Sequence, residues 1–245
     1  MAETYHILSL HGAVKRREQS GSVFELHVPC FEIRAGEVAG VVGDSGCGKS
    51  TLLDILALVM QPSSVDNFVF KASSSQKVDI RFLWESREEN SLAALRREHM
   101  GYILQTGGLL SFLNVRANAA LPAQINGTAD YAQRIDILSR RLGIEQCLNR
   151  YPDSLSIGQR QRVAIMRALA HVPSIILADE PTAAVDKARA KLIMKDLRNL
   201  AIENNTAVIV VTHDMDMVAA VDALYSFTLE QVTSREIRSY CRRQS

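Results

Sequence analysis

The sequence predicts an α/β fold built on a parallel sheet, and three observations predict it. Strand-like and helix-like segments alternate from residue 157 to residue 211. An apolar strand, Val38–Val42, runs into a segment with helical periodicity. A second apolar strand ends in two adjacent acids, Asp179 and Glu180, where ligand groups gather in parallel sheets.

Taken in order, residues 5–10 and 23–28 read as strands, with the basic and polar stretch 15–22 as the turn between them. Val38–Val42 is the third strand. From Lys49 to residue 60 the period becomes helical, and Pro62 favours a stop soon after. Residues 68–70 and 78–83 are short strand-like runs, 90–97 a short helix and 101–104 a brief buried strand. In the block 106–158, Ile135, Leu138 and Leu142 fall at i, i+3 and i+7 among Arg134, Asp136, Arg140 and Arg141. That spacing predicts an amphipathic helix, with Gly143 as its C-terminal cap, inside a helical lobe. A helix over 157–170, a strand over 174–178, a helix over Lys187–Asn204 and a strand over 207–211 complete the alternation. The stretch after Phe227 is short and basic, and no role follows from it.

The 245 residues suit one sizeable domain, or a core with an inserted lobe. Hydrophobic residues at 47% and charged residues at 22% allow a packed core, and a net charge of +1 gives no field that favours nucleic acid as a partner. No apolar run reaches the roughly 18 residues of a membrane span, since the longest, 52–60, is broken by Asp54. No signal-peptide pattern opens the chain, so any membrane link is expected to run through a partner. Cys30, Cys47, Cys147 and Cys241 are scattered with no CxxC pair, which fits a reducing cytosol and marks no metal site.

Gly43-Asp44-Ser45-Gly46-Cys47-Gly48-Lys49-Ser50 matches GxxxxGK[ST], between an apolar strand and a helix. Such glycines let backbone N–H groups wrap a phosphate at a helix N-terminus. Lys49 is expected to reach the β- and γ-phosphates and the Ser50 hydroxyl to ligate Mg²⁺, with Thr51 joining the nucleotide-binding set. Cys47 occupies a variable position and reads as a small filler. Asp179 is the expected second anchor for Mg²⁺ and Glu180 the general base aimed at the attacking water. Taken alone, two acids after a strand are equally a solvated turn; the phosphate loop at the same sheet end favours the functional reading. These motifs define a phosphate-loop ATPase.

Leu155-Ser156-Ile157-Gly158-Gln159, just before an apolar helix leading to the paired acids, resembles the LSGGQ signature of ABC ATPases. Gln105 stands as the Q-loop of that family does, Ala184-Val185-Asp186 as its D-loop, and His213 as its switch histidine. The resemblance covers about residues 5–230. It implies a phosphate-loop (RecA-like) core with an N-terminal antiparallel β subdomain (1–105 and 159–245) and an inserted α-helical subdomain (106–158). It implies ATP and Mg²⁺ as cofactors, Gln105 sensing Mg²⁺, His213 on the γ-phosphate, and Ser156, Gly158, Gln159 and Asp186 closing on nucleotide held by the other subunit of a homodimer. Ser156 and Gln159 also form a capping box, a purely structural reading compatible with the first.

Residues 101–110 and Ala178-Asp179-Glu180-Pro181-Thr182 resemble the lipoprotein-release and macrolide-export branch. That branch implies a subunit on the cytoplasmic face of the inner membrane, peripheral through a separate transmembrane permease. A regulatory cassette for a membrane complex and a soluble cofactor-assembly cassette are the alternatives. Leu109, Leu110, Phe112 and Leu113 are expected either to form the groove that receives the permease or to be buried in the helical lobe. Ile157 departs from the pattern by replacing the first signature glycine. The family's adenine-stacking aromatic falls near Val14, which leaves Phe24 as the candidate replacement.

Overall fold

The computed structural model describes residues 5–72, 77–183, 187–219 and 221–244. Its strands are β1 (His6–Gln19), β2 (Ser22–Arg34), β3 (Val38–Val42), β4 (Asn67–Lys71), β5 (Lys77–Asp79), β6 (Met100–Ile103), β7 (Ile175–Asp179), β8 (Ala207–Thr212), β9 (Ala223–Thr233) and β10 (Glu236–Arg243). Its α-helices are α1 (Lys49–Leu56), α2 (Ile80–Glu85), α3 (Glu89–His99), α4 (Val115–Ile125), α5 (Tyr131–Arg141), α6 (Ile157–Leu169) and α7 (Lys187–Asn204).

The described strands form one sheet in the order β5-β4-β1-β2-β10-β9-β3-β8-β7-β6. The half from β9 to β6 is parallel around β3, β8 and β7, while β1, β2, β4 and β5 pair antiparallel. The C-terminal hairpin of β9 and β10 joins the halves, because β10 runs parallel to β2. β3, β7 and β8 are apolar on both faces, as a strand sandwiched between helices must be. Ile175, Leu177, Ile209 and Val211 face the α1 side; Ile176, Ala178, Val208 and Val210 face α6 and α7. α1 buries Leu52, Leu53, Ile55 and Leu56 completely. Truncating one of these to Ala removes about 2–5 kcal/mol of stability.

Three expectations need correction. Residues 15–19 are strand, not turn: β1 continues to Gln19, and the reversal is confined to Ser20 and Gly21, both at positive φ. The apolar signal fails there because that end of the hairpin is exposed on both faces. The run 78–83 is not one strand. Asp79 ends β5 and its carboxylate accepts the Phe82 N–H at 3.2 Å, capping α2. The helix expected to reach residue 60 stops at Leu56, and Leu58 turns to φ 57°.

α5 spans the predicted apolar stripe. Gly143 at φ 62° ends it in a Schellman arrangement, with the Ile144 N–H bonded to the Ser139 carbonyl at 2.8 Å. Buried Asn118 of α4 accepts the Leu110 N–H and donates to the Leu110 and Leu113 carbonyls, so it ties down the segment after Gln105. The segment is split between buried and exposed positions. Leu109 packs on the helical core, Phe112 is 73% exposed, and Leu110 lines a shallow groove of about 400 Å³ with Tyr102, Leu121, Pro122 and Ile125.

Candidate functional site

β3 delivers the chain into the glycine loop at the carboxyl end of the parallel strands. Gly46 (φ 82°) and Gly48 (φ 106°) take left-handed conformations that a side chain would strain. A Cβ on Gly48 would also lie 3.1 Å from the Phe24 ring. α1 begins at Lys49 with no side-chain cap and no acid in its first turn, so its first N–H groups remain available to an anion. Lys49 Nζ donates to the Gly43 and Asp44 carbonyls at 2.6 and 2.8 Å, which holds the ammonium over the loop. Ser45, Gly46, Gly48, Lys49, Ser50 and Thr51 line the cavity described below. Gly43, Asp44 and Cys47 shape the loop from behind it. Cys47 is buried, with its carbonyl held by the Ser239 hydroxyl of β10 at 2.5 Å.

β7 ends at the two acids. Glu180 sits at φ 47°, uncommon for a residue with a side chain, and its N–H is fixed by the Val211 carbonyl at 2.9 Å. Its carboxylate, 12% exposed, accepts the Thr212 hydroxyl at 3.3 Å and lies 2.9 Å from His213 Nδ1. Burial, then Glu180, then Asp54 push the Asp179 carboxyl up, and Lys49 only partly offsets them. Tyr102 behind it is raised by burial, Asp54 and Asp179. This concentration of negative charge, facing a hydroxyl and an amide in one cavity, fits a hard divalent cation held by Ser50, Gln105 and Asp179.

The glycine loop and the paired acids open on one cavity of about 820 Å³. Gln105, Asp179, Glu180 and His213 line its phosphate end. Its other end is built from a row across three strands: Arg17 of β1 is the register partner of Phe24 of β2, and Phe24 of Ile237 of β10. Val14, where the aromatic was expected, pairs with His27 and bonds to Ser63 and Ser64, and is not a cavity-lining residue. Gln231, Ser234 and Arg235 of the C-terminal hairpin complete this wall. Those hairpin residues and Ser239 were missed from sequence. The alternation of Ile237, Ser239 and Cys241 on one face was the available signal.

Ser156, Gly158 and Gln159 are not brought to this cavity; they stand at the exposed start of α6. The capping box is present, the Ser156 N–H donating to Gln159 Oε1 at 2.9 Å and the Gln159 N–H to Ser156 Oγ at 3.3 Å. Ile157 is the first helical residue and does not take positive φ, so its replacement of glycine costs no backbone strain. What changes is the surface: its side chain is 53% exposed beside the cap. Asp186, with residues 184 and 185, lies outside the described residues.

A glycine loop at a helix N-terminus, two acids at the end of the next strand but one and a cavity of nucleotide size define a phosphate-loop nucleotide-binding protein. More narrowly, the chain belongs to the ABC transporter family, whose model matches residues 26–183. It is 40% identical over 222 residues to a macrolide export ATP-binding/permease protein, MacB 2, of Aeromonas hydrophila, covering 89% of this chain and 32% of that protein. Against a MacB of Yersinia pestis the identity is 38% over 217 residues, 87% of this chain and 32% of the relative. The chain thus spans about a third of the length of these curated relatives. Among solved structures it resembles the ATP-binding cassette MJ0796 in a dimeric post-hydrolysis state bound to ADP and Pi. There the TM-score is 0.78 at 27% identity, with 97% of this chain and 98% of that one covered. It also resembles cbiO1 from Clostridium perfringens, part of the transporter complex cbiONQ, with TM-score 0.73, 27% identity, and 90% and 84% covered.

Proposed function

We propose that this chain binds ATP in the 820 Å³ cavity and hydrolyses it across a face-to-face homodimer, driving a membrane permease of the macrolide-export or lipoprotein-release kind. The observation that carries this is the convergence of Lys49, Ser50, Asp179, Glu180 and His213 on one cavity, with Ser156 displaced from it. The loop N–H groups and Lys49 bind and orient the triphosphate. Ser50, Gln105 and Asp179 would hold Mg²⁺, which when bound offsets charge on the β- and γ-phosphates. Glu180, held by Thr212 and His213, takes a proton from the attacking water. His213, whose side chain is 66% exposed, keeps its other ring nitrogen free to meet the γ-phosphate. Arg17, Phe24 and Arg235 hold the base in place of a single stacking aromatic.

The exposed cap at Ser156, with Gly158, Gln159 and Asp186, closes on nucleotide held by the partner subunit; an uncapped site on one copy and an exposed helix N-terminus on the other are complementary. Residues 106–158 act as the helical lobe, and the groove at Leu110 with exposed Phe112 receives the permease. Attachment at the cytoplasmic face of the inner membrane runs through that permease; among the described residues no helix is long and apolar enough to cross a membrane. The relatives carry the words ATP-binding/permease in their names, which supports the pairing. The test is nucleotide binding by Lys49→Ala, which removes the ammonium over the loop. Affinity for ATP falls at least 10-fold; affinity equal to the parent's removes the phosphate-loop assignment.

A further inference from the structure

On the outer face of the antiparallel half of the sheet, side chains of β1 and β2 converge on one point. None of them lines the nucleotide cavity. His11 and Cys30 are direct cross-strand partners, and Glu32 lies two residues along the same face of β2. One ligand atom from each, the His11 ring nitrogen, the Cys30 sulfur and a Glu32 oxygen, all lie within 4.8 Å of one another. His11 Nε2 is 3.0 Å from Glu32 Oε1, and His6 Nδ1 is 3.7 Å from the same oxygen.

We propose that His11, Cys30 and Glu32 form a three-residue binding site for Zn²⁺ or a similar borderline divalent cation. Imidazole, thiolate and carboxylate together are the donor set that zinc selects over calcium or magnesium. Zinc bonds of about 2.0–2.3 Å place tetrahedral ligand atoms roughly 3.3–3.8 Å apart. His11 Nε2 and Glu32 Oε1 are 3.0 Å apart and all three ligand atoms lie within 4.8 Å of one another, so side-chain adjustment of about 1 Å brings them to that spacing.

The backbone is held firmly. Leu8, Leu10, Phe31 and Ile33, which alternate with the ligands, are fully buried, so a register slip that turned the ligands away would expose this core. Glu32 is fixed further from behind. The Tyr225 hydroxyl donates to its carbonyl at 2.8 Å and accepts its N–H at 3.0 Å. Cys30 is exposed, whereas Cys47, Cys147 and Cys241 are buried, so it is the thiol a metal can reach. Burial and then Glu32 push the Cys30 thiol up, with Arg243 of β10 only partly offsetting them, so a bound metal must displace the thiol proton. Sequence spacing marked no metal site because His11 lies 19 residues from Cys30 and 21 from Glu32 and meets them only through the hairpin.

The test uses the full metal-free chain without nucleotide, under a non-chelating reductant. Co²⁺ is titrated in and read by absorbance, then displaced by Zn²⁺. Expected is one equivalent of Co²⁺ with a sulfur-to-cobalt charge-transfer band in the near ultraviolet. Cys30→Ser loses that band, and His11→Ala weakens binding at least 10-fold. Unchanged far-ultraviolet circular dichroism and ATP affinity confirm that both variants remain folded. Absence of the band in the parent, its persistence in Cys30→Ser, or unchanged affinity in His11→Ala overturns the proposal. Retained ATP binding in each case leaves the nucleotide-site reading intact.

Discussion

Ser239 is fully buried on β10, and its hydroxyl donates to the Cys47 carbonyl of the phosphate loop, 192 residues away. Ser239→Ala deletes the donor and leaves that carbonyl without a partner in a dry environment. An orphaned buried acceptor costs about 1–3 kcal/mol. For a domain of this size each kcal/mol lowers Tm by about 2–4 °C, so the expected fall is about 2–12 °C. Two readouts separate a loop effect from a general one. Urea unfolding gives the stability loss, and the rise in Tm on adding ATP gives binding, about 2.7 kcal/mol at a hundred times Kd. The Cys47 carbonyl belongs to the loop proposed to receive phosphate, so the ATP-induced rise is expected to shrink as well. Stability and ATP response both within about 0.5 kcal/mol of the parent would refute the reasoning, because the bond would then be replaced without cost.

Thr212→Val removes one of the two groups holding the Glu180 carboxylate and orphans the Asp214 N–H, which bonds Thr212 Oγ1 at 3.1 Å. A hydrogen bond to a charged group is worth about 1.5–3 kcal/mol, so kcat falls at least 10-fold with little change in KM, measured by steady-state ATPase assay. Phe24→Ala removes the ring lying against Gly48 and the centre of the three-strand row. ATP affinity falls severalfold in equilibrium binding, while affinity for inorganic triphosphate is unchanged. His99 and His171 are both pushed down by burial, and His171 Nδ1 is buried without a partner while Nε2 meets the Met100 carbonyl. The unfolded chain protonates near 6.5 while the folded one resists. Their contribution is therefore fully present above about pH 6.5 and is lost as pH falls through the folded values. Urea unfolding at pH 7.5 and 5.5 shows a larger drop for the parent than for the His99→Gln, His171→Gln double variant.

The parts of the fold legible in the sequence are those fixed by local periodicity. Val38–Val42 and Lys187–Asn204 fall at their predicted bounds because the first is uniformly apolar and the second places buried Ala190, Ile193, Leu197, Leu200 and Ala201 at helical spacing. Gly143 and the Ser156 box are caps, whose geometry depends on residues three to five apart. The phosphate loop and paired acids were legible for the same reason. β10 was hidden because its pairing with β2 joins residues more than 200 apart, and its outer positions are polar. Arg17 was hidden because a basic exposed stretch carries the same signature whether it turns or lines a cavity. The register that sets Arg17 opposite Phe24 exists only once the hairpin forms.

The role proposed for Glu180 in hydrolysis across two copies is tested most directly by Glu180→Gln, followed in parallel for ATP turnover and for association by sedimentation. The amide keeps the shape but cannot take the proton. Turnover falls by about 10²–10⁴-fold, ATP binding persists, and an ATP-dependent dimer accumulates. Parental turnover, or a chain that stays monomeric with ATP bound, contradicts the account.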